Sequence, residues 1–166
     1  MKLSEIMTRE VVVIQPDDSL QSAAKKMRDR NIGFLPVLDG EELLGVLSDR
    51  DITIRALADG MDVNVMLGRD LMTTPAIYCY EDQEVSEAAK IMAENQIRRL
   101  VVVSRDDKRV VGVISLGDLA RNNTTELSGE VLQKVSAPDG TEPTRAEDHV
   151  AARKQITLDF TAETQR

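Results

Sequence analysis

Two segments of this 166-residue chain place a glycine, a serine and an aspartate at one shared spacing: Gly45-Val46-Leu47-Ser48-Asp49-Arg50-Asp51 and Gly112-Val113-Ile114-Ser115-Leu116-Gly117-Asp118. The glycine has no side chain, so another group can approach the backbone closely; the serine offers a hydroxyl where an apolar run ends; the carboxylate stands three residues further on. A carboxylate there can accept two hydrogen bonds from a cis-diol such as ribose, and the start of a helix favours an anion. The same Ser-x-x-Asp spacing also caps helices. For a lone copy capping is the stronger reading, whereas two copies at equivalent points of a repeat favour a site.

The elements that must position these residues are themselves written twice. Residues 6–52 return as 71–119, with Ile6-Met7-Thr8 reappearing as Leu71-Met72-Thr73 at an offset of 65 that grows to 67 by the second motif. The two extra residues fall in the polar turn Ser104 to Lys108, opposite Asp39-Gly40-Glu41. Units of this length are too long for a solenoid repeat and each is too small to bury much surface alone. They are expected to pack across a pseudo-two-fold axis, with a ligand cleft in two copies.

Each repeat reads as β-α-β-β-α, a mixed α/β (α+β) fold. Val11 to Ile14 and Ala76 to Cys79 form short strands. The stripes Leu20, Ala23, Ala24, Met27 and Val85, Ala88, Ala89, Met92 form helices with an apolar face. Strands follow over Ile32 to Leu38 and Leu43 to Leu47, and over Ile97 to Val103 and Val110 to Ile114; short helices open near Asp49 and Leu116. The organisation is a first repeat over 1–59, a connection over 60–70, a second repeat over 71–122, an accessory helix over 123–135 and a polar tail over 136–166. The accessory helix, carrying Leu127, Val131, Leu132 and Val135, is expected to cover the module or its dimer partner. The tail reads as flexible, with Ile156 to Phe160 alternating like a strand but polar surroundings favouring disorder.

Composition excludes several classes. A net charge of −8 argues against a general nucleic-acid binder, and four aromatics, Phe34, Tyr78, Tyr80 and Phe160, cannot build a base-stacking platform. No stretch is apolar enough to span a bilayer, so the chain is expected in the cytoplasm without a membrane partner. The single cysteine, Cys79, reads as a buried small hydrophobe, and the single histidine, His149, as inert. Phosphate-loop, dinucleotide, nucleophile-elbow and metal-ligand motifs are all missing, so neither enzymatic activity nor a required metal is expected.

Together the repeated Ile/Leu-Met-Thr, the strands Phe34-Leu35-Pro36-Val37 and Arg99-Leu100-Val101-Val102, and the two Gly-x-x-Ser-x-x-Asp segments resemble a tandem pair of cystathionine-β-synthase (CBS) domains, the Bateman module. The resemblance runs from about Leu3 to about Asn122. It departs at Val101, where a proline is frequent, and at Gly117, which removes a side chain beside Asp118. It implies clefts that bind adenosine-containing ligands such as AMP, ADP, ATP, NAD or S-adenosylmethionine, and association into disc-like homodimers. Inosine-monophosphate dehydrogenases carry similar pairs, but this chain shows no barrel sequence beside them, so it reads as a free-standing module.

Carried over by position, the resemblance makes Asp51 and Asp118 ribose acceptors and puts Ser48 and Ser115 near ribose or phosphate. Arg98 and Arg99 would reach a phosphate; their first-repeat counterparts, Gly33 and Phe34, carry no charge. Asp51 with Arg98 and Arg99, helped by Arg50, would then form the better nucleotide cleft, leaving Asp118 without phosphate partners. The competing reading of the two arginines is an ordinary solvated or acid-paired surface. The function implied is a regulatory nucleotide sensor that signals to a partner protein of unknown identity. The alternative is a ligand-independent dimerisation or adaptor module.

Overall fold

The computed structural model describes residues 1–122 and 125–137, a mixed α/β chain with two small sheets. It divides into two compact units that cut across the sequence repeat: one holds Glu10–Ala76 with Asp106–Val111, the other Met1–Arg9, Ile77–Arg105 and the described residues from Gly112 onward. Among the described residues, no helix is long and apolar enough to cross a membrane.

The chain begins with the short helix α1 (Leu3–Ile6), whose Leu3 is fully buried. The first unit then holds α2 (Leu20–Arg30), β1 (Phe34–Asp39), β2 (Glu42–Ser48) and α3 (Asp49–Asp51), which continues as a π-helical turn over Ile52–Leu57, and finally α4 (Gly68–Leu71). Ser19 caps α2 by accepting from the Ser22 N–H at 3.1 Å, and Asn31 ends it in the left-handed conformation. Leu20, Ala23 and Met27 are buried as the stripe requires, whereas Ala24 is exposed. Its matched alanine, Ala89, is buried because in the other unit a further helix covers that flank.

β1 and β2 pair antiparallel across the two-residue turn Gly40-Glu41, where Gly40 takes φ +60°, a conformation glycine adopts freely. The strand expected over Val11 to Ile14 contracts to one bridge: the Ile14 N–H donates to the Pro36 carbonyl at 3.1 Å, and the Leu38 N–H to the Ile14 carbonyl at 2.9 Å. Proline supplies the reason. The next rung of a parallel ladder would need an N–H from Pro36, which has none. In the other unit Val101 stands at the matching place and restores the donor. There β3 (Tyr78–Tyr80) pairs in parallel along its whole length with Val101, Val102 and Val103.

That unit contains β3, α5 (Val85–Glu94), β4 (Arg99–Val103), β5 (Val110–Ser115) from Gly112 onward, α6 (Leu116–Arg121) and α7 (Thr125–Val135); the sheet order is β3-β4-β5. α7 packs on α5 and α6, which is why Ala89 is buried. Along α7, Val131 and Ser128 are buried but Leu132 is 48% exposed, so the apolar face is rotated from the one expected. The expected tail strand at 156–160 and His149 lie outside the described residues, as does all of the tail beyond Ala137.

The leading Met-Thr segments are exchanged. Thr8, which opens the first repeat in sequence, pairs with Val113 in β5; Thr73, which opens the second, pairs with Val46 in β2. Both exchanges are closed by reciprocal N–H···O bonds of 2.8 to 3.0 Å. Gly45 and Gly112 permit them: a Cβ on Gly45 would lie 2.6 Å from the Thr73 carbonyl oxygen, and one on Gly112 would lie 2.6 Å from Met7 Sδ.

Cys79 is 1% exposed and its thiol faces the Val101 carbonyl at 3.6 Å. Burial, then the nearby negative charge of Glu87, pushes the thiol up to about 12. The native thiol is therefore expected to resist a disulfide reagent at pH 8 until the chain unfolds. Because the folded value is raised, its contribution to stability is complete below the unfolded value of about 8.5 and declines toward the folded one as pH rises. Above about pH 8.5 the wild type should lose up to about 1.4 kcal/mol per pH unit more than Cys79→Val does. Parallel pH profiles for the two proteins would refute this.

Candidate functional site

Each Ser-x-x-Asp segment folds into a reciprocal cap where a strand hands over to a helix. At the end of β2, Ser48 Oγ accepts from the Asp51 N–H at 3.1 Å, while Asp51 Oδ2 accepts from the Ser48 N–H at 2.9 Å and from its hydroxyl at 2.6 Å. The Asp51 side chain stays 23% exposed, and its Oδ1 has Arg55 Nη1 only at 3.6 Å. That guanidinium is already committed to the Leu71 carbonyl at 2.9 Å. One carboxylate oxygen caps the helix; the other keeps capacity for further donors.

The second copy repeats the cap and closes it. Asp118 Oδ2 accepts from the Ser115 N–H at 2.8 Å and its hydroxyl at 2.6 Å, and Ser115 Oγ accepts from the Asp118 N–H at 3.2 Å. Here Oδ1 is taken by Arg121 Nη2, and the Asp118 side chain is 9% exposed. Both spacings are also seated on the preceding turn: the Asp49 N–H donates to the Gly33 carbonyl at 3.1 Å, and the Leu116 N–H to the Arg98 carbonyl at 3.0 Å. The two carboxylates are thus held alike by their serines and differently by their arginines.

Of the predicted basic residues, Arg50 is exposed, and among the described residues only its backbone N–H is engaged, to Asp49 Oδ1 at 2.7 Å. Arg98 is exposed and donates to the neutral Ser136 hydroxyl at 3.3 Å, at the end of α7; Arg99, the first residue of β4, is exposed. Neither forms an ion pair among the described residues, so acid pairing, one of the two readings open from sequence, is not seen there. A Cβ on Gly33 would meet the Asp49 carboxylate at 2.4 Å, so a side chain there would require that exposed carboxylate to swing aside. Arg55 and Arg121 were not singled out by sequence, although their i+4 and i+3 spacing from the aspartates is the signal for such a contact. Among the described residues no cluster of histidine, cysteine, aspartate and glutamate could hold a metal ion.

The sequence model of the CBS domain matches residues 3–57 and again 68–123, and the chain belongs to that family. The CBS domain-containing protein YhcV of Bacillus subtilis is 35% identical over 135 residues, 81% of this chain and 94% of YhcV. Three similar solved structures carry ligands. The CBS domain pair of MJ0100, in complex with 5′-methylthioadenosine and S-adenosyl-L-methionine, is 28% identical with TM-score 0.67, covering 76% of this chain and 98% of that one. CBSX2 in complex with AMP is 25% identical with TM-score 0.63, covering 75% and 97%. Hypoxic Response Protein I, with two coordinated zinc ions, is 34% identical with TM-score 0.67, covering 73% and 98%.

Proposed function

We propose that this chain is a regulatory nucleotide sensor that binds an adenosine-containing ligand, with AMP, ATP or NAD the leading candidates, and signals to a partner protein as a homodimer in the cytoplasm. The observation that carries the reading is Asp51: a partly exposed carboxylate, fixed by its own serine and with one oxygen still able to accept, in a fold shared with CBS pairs solved with AMP and with S-adenosylmethionine. Asp51 takes the ribose hydroxyls, Ser48 orients it, and Arg98, Arg99 and Arg50 supply positive charge for phosphate. Ser115 and Asp118 are the second, less accessible set. Self-association draws support from the exposed apolar Ile54, Leu57 and Val65.

One observation favours the adaptor reading: both aspartates already cap helices, so the motif is structurally occupied without a ligand. Thermal unfolding with and without AMP, ADP, ATP, NAD, S-adenosylmethionine and adenosine separates the two. A ligand at about 100 times its Kd should add about 2.7 kcal/mol. Asp51→Ala is expected to weaken that ligand roughly 20-fold, the worth of charge-assisted hydrogen bonds to a diol. No shift with any ligand, on protein checked to be ligand-free, would decide for the adaptor.

A further inference from the structure

We propose that Arg121 is a built-in latch on Asp118, so that this carboxylate accepts a ribose only after the guanidinium swings away. The inference rests on the nucleotide-sensing reading and adds a difference between the two aspartates that their shared motif hides. Asp118 already holds three donors across both oxygens: Oδ2 takes the Ser115 N–H and hydroxyl, and Oδ1 takes Arg121 Nη2. The carboxylate is 9% exposed while the guanidinium covering it belongs to a side chain 73% exposed. An exposed arginine regains water when it leaves, so the latch is reversible.

The first repeat has no counterpart of this latch. A Cβ on Gly117 would stand 3.6 Å from Arg121 Nη1 and 3.5 Å from Ser115 Oγ, ordinary contact distances, so this position lies directly beside the guanidinium where it meets the first turn of α6. At the offset of 67, Gly117 corresponds to Arg50 and Arg121 to Ile54. The latching arginine is thus absent from the matching place beside Asp51. Arg55, one position further along, approaches Asp51 only to 3.6 Å and is held by the Leu71 carbonyl. One aspartate of each chain is therefore open and the other latched, and a cis-diol must compete with an intramolecular cation to reach the second.

Titration calorimetry with adenosine, whose neutral diol isolates the carboxylates from the phosphate-directed arginines, tests this on the full chain. Wild type should show a single strong event per chain. Arg121→Ala and Arg121→Gln should add a second event, or tighten a weak one by at least roughly tenfold, since freeing a site held closed raises its apparent affinity by the inverse of its open fraction. Adding Asp118→Ala to either variant should remove that event alone. Melting curves and circular dichroism confirm that each variant folds; the glutamine variant keeps hydrogen-bonding capacity if alanine destabilises α6. Two equally strong events in wild type, or one unchanged event in both folded variants, would overturn the latch and leave the sensor reading intact. Absence of binding in every protein, with AMP, ATP and NAD as well as with adenosine, would sink the sensor reading and the latch with it.

Discussion

Gly45→Ala is expected to destabilise the protein by about 3 kcal/mol, the upper end for a methyl forced into packed space, while Gly112→Ala costs about 1 kcal/mol. The two glycines occupy equivalent places, and the difference lies in what stands opposite. At Gly45 the new Cβ would meet a peptide oxygen, that of Thr73, at 2.6 Å. That oxygen accepts from the Val46 N–H at 3.0 Å, so it cannot retreat without breaking the bridge that binds the Met72-Thr73 segment to β2. At Gly112 the nearest atom is Met7 Sδ, on a flexible unbranched side chain, and the Thr8 oxygen stands off at 3.1 Å. For a chain of this size the Gly45→Ala loss corresponds to about 6–12 °C in melting temperature. A double-mutant cycle sharpens the test: Met7→Ala should partly offset Gly112→Ala, whereas Met72→Ala should not offset Gly45→Ala, because its clash is with backbone. Equal losses at the two glycines, read by denaturant unfolding, would refute the account.

These glycines also mark the limit of what a sequence pattern encodes. The missing side chain was legible as permission for a close approach, but the approaching group is the chain's own Met-Thr segment. Nothing in a periodicity announces an exchange of segments between distant sites, because each bridge needs only two residues. Helical stripes are legible in the sequence where one face meets one core, as with Val85, Ala88, Ala89 and Met92, all buried. Ala24 has the same spacing and is exposed, because burial of that flank depends on α7, whose position no local pattern encodes. Pro36 and Val101 make the complementary case: the substitution was visible as a departure from the family pattern, yet its consequence appears only when the ladder is drawn and the missing N–H is found on the rung beyond Ile14. For the site, the Ser-x-x-Asp caps were legible as one of two stated readings. The unequal treatment of the two carboxylates was not, since it turns on Arg55 and Arg121 choosing different acceptors.

Replacing Arg98 and Arg99 together by alanine is expected to weaken AMP roughly 100-fold and adenosine less than about twofold, because a guanidinium–phosphate contact contributes about 1.5–3 kcal/mol and the nucleoside offers no phosphate to meet it. Both side chains are exposed, and the one side-chain partner recorded for Arg98 among the described residues is the uncharged Ser136 hydroxyl at 3.3 Å. Binding a phosphate therefore breaks no ion pair here, and the gain is not spent on separating charges already matched. The same exposure makes the effect salt-dependent: raising ionic strength from about 0.01 to 0.15 M shortens the screening length from about 30 to 8 Å, which should weaken AMP and spare adenosine. Single substitutions divide the roles. Arg98→Ala also releases Ser136 at the end of α7, so it should alter that helix as well as AMP affinity, whereas Arg99→Ala should alter affinity alone. Hydrogen exchange over residues 130–137 reads the first effect and calorimetry the second. Equal losses for AMP and adenosine in the double variant would mean that the arginines support the fold and meet no phosphate. In that event the charge-bearing part of the site would have to be sought at Arg50, which stands at the start of α3 with its guanidinium free of ion pairs among the described residues.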